Sequence, residues 1–66
     1  MQQRGPRGKQ ETEAAFQHSA GLQYATTGDY VRAILHFELA AKLCPGVASH
    51  REAIAFCKQQ QAESAQ

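Results

Sequence analysis

Two stretches of helical periodicity meet at Thr26-Thr27-Gly28-Asp29, and this junction constrains the chain more than any other feature. Gly28 can take the left-handed conformation that closes a helix, and Asp29 can cap the helix that follows. A link of so few residues obliges the two helices to pack antiparallel. Upstream, Phe16, Ala20 and Tyr24 recur at a spacing of four and lay one stripe along a helix. That helix is predicted to begin near Thr12, an acceptable N-cap, with Glu13 in the first turn where the helix dipole favours a negative charge. Downstream, Tyr30, Ala33, Ile34, Phe37, Ala40, Ala41 and Cys44 follow an amphipathic pattern, and Arg32, His36 and Lys42 lie off it. The second helix is predicted from Tyr30 to about Leu43, ended by Pro45-Gly46.

A third helix is signalled by Ser49-His50-Arg51-Glu52, which matches the S-x-x-E capping box. Ala53, Ile54 and Cys57 give it one apolar edge, and Phe56 projects to another side. The chain therefore divides into a basic, disordered N-terminal tail over 1–11, one three-helix domain over 12–63, and a frayed end over 64–66. With 66 residues, no Trp and Ala as the main apolar filler, there is enough chain for close helix packing and too little to wall off a deep active site.

Charge is uneven. Arg4, Arg7 and Lys9 fall within the first ten residues without an acid, whereas residues 11–66 hold four basic and six acidic side chains. Three charges fall short of a polybasic segment, and the folded part is net negative with its aromatics committed to packing. Nucleic-acid binding is not expected. No apolar run is long enough to span a membrane, and no apolar signal region is present, so no membrane insertion is expected. Cys44 and Cys57 are the only cysteines, too sparse for a disulfide scaffold. Free thiols favour a cytoplasmic or nuclear setting.

From Gly21 to Pro45 the chain resembles a tetratricopeptide repeat, a helix–turn–helix unit of about 34 residues. The likeness rests on Gly21, Tyr24, Gly28, Asp29, Tyr30, Ala33, Phe37, Ala40 and Pro45. They reproduce G-x-x-Y, then G-D-Y-x-x-A-x-x-x-F-x-x-A, then Pro. Independently of the family, Gly21, Ala33 and Ala40 are small residues placed where two antiparallel helices would cross closely. The resemblance implies an all-α fold, a helical hairpin plus a third, capping helix in a right-handed arrangement. The structural core it implies, together with the periodicity, comprises Phe16, Ala20, Gly21, Tyr24, Gly28, Tyr30, Ala33, Ile34, Phe37, Ala40, Leu43, Pro45, Ile54 and Cys57. A second, weaker likeness is to the microtubule-interacting-and-transport three-helix domain, which shares the second-helix pattern and binds helical motifs.

No catalytic constellation is legible. Cys44, His50 and Cys57 lack the paired spacing of zinc ligands. Cys44 sits at the negative end of a helix, which works against a thiolate, and Cys57 lies mid-helix. Neither a metal nor a cofactor is expected, and the chain is not expected to be an enzyme. What remains is recognition. Ala15, His18, Leu22 and Ala25 share one face of the first helix, distinct from the Phe16 stripe. The family resemblance implies that this face lines a ligand groove, with Ser49, Glu52, Phe56 and Gln59 on the third helix opposite. Chaperone-tail-binding members of the family carry Lys and Asn where His18 and Leu22 stand here, so a carboxylate clamp is not expected. The expectation is an adaptor or scaffold module that binds a protein or peptide ligand. Self-association as a homo-oligomer, or as one piece of a longer repeat array, is the alternative.

Overall fold

A computed structural model describes residues 5–64. They form three helices: α1 (Gly5–Thr26), α2 (Tyr30–Leu43) and α3 (Ala48–Ser64). No strand occurs among the described residues. The fold is all-α: an antiparallel α1–α2 hairpin with α3 packed on α2, while α1 and α3 touch only locally.

The α1–α2 turn is built as its sequence predicts. Gly28 has a φ of 85°, the only positive value among the described residues. The Asp29 amide donates to the Tyr24 carbonyl at 2.9 Å and the Gly28 amide to the Ala25 carbonyl at 3.0 Å. This pair of bonds is the Schellman arrangement that satisfies the last carbonyls of a helix. Asp29 then caps α2, its carboxylate accepting from the Arg32 amide at 3.2 Å and pairing with the Arg32 guanidinium at 3.0 Å. One residue closes one helix and opens the next, so the reversal takes only three residues.

The hairpin closes around Phe37 of α2. Its ring lies against Gly21 of α1 so tightly that a β-carbon there would sit 2.7 Å from the ring. Ala33 and Phe37 are buried with Cys57 of α3, and Tyr24, Ala25, Tyr30, Ile34, Ala53 and Ile54 pack around them. Ala14 and Ala40 are also buried. Small residues at the crossings let the backbones approach, and Phe37 fills the space that remains.

Four expectations are corrected. First, α1 starts at Gly5 instead of near Thr12. The Thr12 hydroxyl donates to the Gly8 carbonyl at 2.8 Å, one turn back, so Thr12 is interior to the helix and not its cap. Pro6 falls in the first turn, where a missing N–H costs no intrahelical bond. Of the segment expected to be a disordered tail, 5–11 is helical, and residues 1–4 lie outside the described residues. At the other end α3 runs to Ser64, and 65–66 lie outside them.

Second, Phe16 is exposed and not part of the core. A spacing of four overshoots the 3.6-residue turn and drifts about 40° per step, so Phe16 has rotated about 80° from Tyr24, which does meet the core. Third, Gly28 is exposed at the α1–α2 turn and not part of the core, and so is Pro45. Pro45 lies in a turn closed by the Val47 amide donating to the Cys44 carbonyl at 3.1 Å, on the surface where loop residues belong. Fourth, α3 begins at Ala48, which places Ser49 inside the helix and not at its cap. There the His50 amide donates to the Val47 carbonyl at 3.4 Å, and the Arg51 guanidinium reaches back to the Pro45 carbonyl.

Gly21→Ala should destabilise the fold although alanine is the better helix former by about 1 kcal/mol, because forcing a methyl into the Phe37 ring costs about 1–3 kcal/mol. Gly28→Ala meets no neighbour within 4 Å and should cost only its left-handed backbone strain, about 1–2 kcal/mol. Urea denaturation of the two variants measures both.

Candidate functional site

Three surfaces hold the functional candidates. The first is the groove expected between α1 and α3. Leu22 is 52% exposed and Phe56 54% exposed, so neither packs away to complete the core. Ala15, Glu52 and Gln59 are also exposed, with Gln59 donating to Glu63 at 3.4 Å on its own helix. Ala25 is half-buried against the core instead of free for a ligand.

His18 turns inward from that face. Its Nδ1 lies 2.9 Å from the Nδ1 of His50, and its ring packs 4.9 Å from the Phe37 ring. His50 is only 6% exposed, and its pKa is lowered, first by burial and second by the nearby His18. The pair therefore bridges α1 and α3.

The second surface is the outer seam of the hairpin, where α1 and α2 join away from α3. Gln17 accepts from His36 Nδ1 at 2.7 Å and donates to the Glu13 carboxylate at 3.1 Å. The His36 ring stacks on Tyr24 at 5.4 Å, nearly parallel, and the Arg32 guanidinium sits 6.0 Å from the Tyr24 ring centroid. A continuous ladder from Glu13 to Asp29 thus fastens the seam with polar and aromatic contacts. Phe16, Ala20, Gln23 and Thr27 border a shallow depression beside it.

The third surface went unnoticed in the sequence. Val31, Leu35 and Leu39 recur at steps of four on α2 and are 64%, 56% and 46% exposed. At 100° per residue they point away from Ala33, Phe37 and Ala40, interleaved with Arg32, Glu38 and Lys42. A depression lined by Leu35, His36, Glu38, Leu39 and Lys42 lies along this stripe, and His36 also borders the seam depression, so the two surfaces are continuous. The signal for it in the sequence is that α2 carries apolar residues on two faces.

No group of three or more metal-ligating side chains converges among the described residues. Cys57 is fully buried, which raises its thiol pKa, and Cys44 points its sulfur at the Gln10 carbonyl, 3.8 Å away. The depressions are open surface features lined by one or two elements. No described helix is long and apolar enough to cross a membrane. Set against known protein families, curated proteins and solved structures, the chain gives no match.

His36→Ala removes both the bond to Gln17 and the stack on Tyr24. It should lower stability by about 1–2 kcal/mol in urea denaturation while leaving helical content unchanged.

Proposed function

We propose that this chain is a protein-interaction module whose α2 outer stripe receives an amphipathic partner helix. The carrying observation is that Val31, Leu35 and Leu39 are all exposed on one side of a helix whose opposite face is already buried. Exposed single apolar residues are ordinary, but three on one side of a helix, slanting across it as a step of four does, suit anchors from a second helix packed at an angle. Arg32, Glu38 and Lys42 on the same face can supply a polar rim of both signs. The tetratricopeptide resemblance supports the same reading, because hairpins of that kind are stacked units whose outer faces are covered by neighbours. On this reading the chain acts as an adaptor or scaffold and not as an enzyme.

A second reading keeps the α1–α3 groove as the docking site, favoured by the exposure of Leu22 and Phe56. Two double variants separate the readings. Leu35→Asp with Leu39→Asp should abolish capture of a partner from cell extract while circular dichroism remains that of the wild type, and Leu22→Asp with Phe56→Asp should leave capture intact. The reverse pattern moves the site to the groove. Capture unaffected by either pair would refute docking on both surfaces.

A further inference from the structure

We propose that the His18–His50 pair is an acid-sensitive latch that holds α3 on the hairpin near neutral pH and releases it in mild acid. The geometry sets the rule. A hydrogen bond between the two Nδ1 atoms, 2.9 Å apart, needs one nitrogen bearing hydrogen and one bare. If both rings are charged, both nitrogens carry hydrogen, and two donors and two positive charges confront each other. The closed latch therefore carries one charge at most, whereas in the unfolded chain each imidazole takes up its proton independently.

The surroundings leave that second charge without compensation. From α1 the group facing His50 is His18 itself, whose ring lies 5.0 Å away. The residues that α2 buries are Ala33, Phe37 and Ala40, none of them titratable. His36 is engaged on the opposite side with Gln17 and Tyr24. On α3 the buried Cys57 thiol is kept neutral, its pKa raised by burial. Arg51 and Glu52 flank His50 in sequence but are exposed, and Arg51 is turned to the Pro45 carbonyl. Glu11 lies on α1 two turns before His18, about 10 Å along the helix.

The sign follows from the direction of the shift. His50 is depressed below the ordinary histidine value in the fold, so the stability it contributes is complete above about pH 6.5 and drains away as pH falls below it. Because α1 and α3 touch only locally, the latch is a large part of what joins them. Repulsion between the two rings would push α3 away from α1 and loosen its packing on the Ala33–Phe37 face of α2, which makes docking of α3 responsive to acidity.

The test is a titration of the isotopically labelled full chain from pH 8 to 5, following imidazole and α3 amide resonances, paired with urea denaturation at each pH. The latch predicts that His18 and His50 together take up no more than one proton while α3 stays docked. It also predicts loss of protection at Ala53–Cys57 below about pH 6.5, and an unfolding constant about tenfold higher at pH 5.5 than at 7.5. His50→Asn, which keeps a short hydrogen-bonding group, should flatten the response, and His36→Gln should preserve it. Independent protonation of both histidines near pH 6.5, with α3 amides unmoved and the unfolding constant unchanged, would overturn the latch. The wild-type titration decides the question by itself if the His50 variant does not fold.

Discussion

The contact between the Phe37 ring and the bare backbone at Gly21 is the constraint on which the rest of the structure depends. Phe37 and Cys57 are the largest fully buried side chains among the described residues, and Tyr24 and Tyr30 pack only partly buried around them. The ring reaches the interior because Gly21 offers no β-carbon, and Ala33 and Ala40 on its own helix offer only methyl groups. With the ring in place, His18 packs on one side of it and Cys57 closes over another. The Gly28-Asp29 reversal delivers α2 to that contact in the right register. A domain of this size buries only about 60% of its unfolded surface, so a single well-filled crossing matters more here than it would in a larger core.

The same economy explains the outside of the molecule. Three helices in one layer cannot cover both faces of the middle one, and α2 is apolar on both. Its inner face meets α1 and α3, and its outer face is left with Val31, Leu35 and Leu39. Burying such a row is worth about 1.5–3 kcal/mol for each large aliphatic side chain, comparable with a sizeable fraction of what a small domain has in total. A bound partner would therefore stabilise the fold as well as recognise it, since any ligand of the folded state adds to its stability. The exposed row and the small core have one origin: too few residues for the number of apolar faces.

Much of the hairpin was legible from residue types alone. Gly28 and Asp29 each have a local backbone role that no tertiary context had to supply, and α2 carries a periodic pattern ended by Pro45-Gly46. The errors arose where local signals compete with tertiary ones. Thr12 and Ser49 are good caps, yet both sit inside helices that begin earlier, because a cap residue is a preference and not a stop. Phe16 was drawn into the core by a spacing of four, although the face that packs runs through Ala14, Gly21 and Ala25. The Val31 row is hard to read from sequence because its residues fall outside the dominant Ala33–Phe37–Ala40 periodicity of α2 and alternate with charged residues. The His18–His50 bridge links residues 32 apart and could not be inferred from spacing on either helix.

The closeness of α1 to α2 at Gly21 can be measured directly by proton magnetic resonance. The account predicts that the Gly21 α-protons are displaced strongly upfield by the Phe37 ring current and show intense cross-relaxation to its ring protons. Gly21 α-protons at ordinary helical positions, with no cross-relaxation to Phe37, would mean that the helices do not meet there, and the packing described above would be wrong.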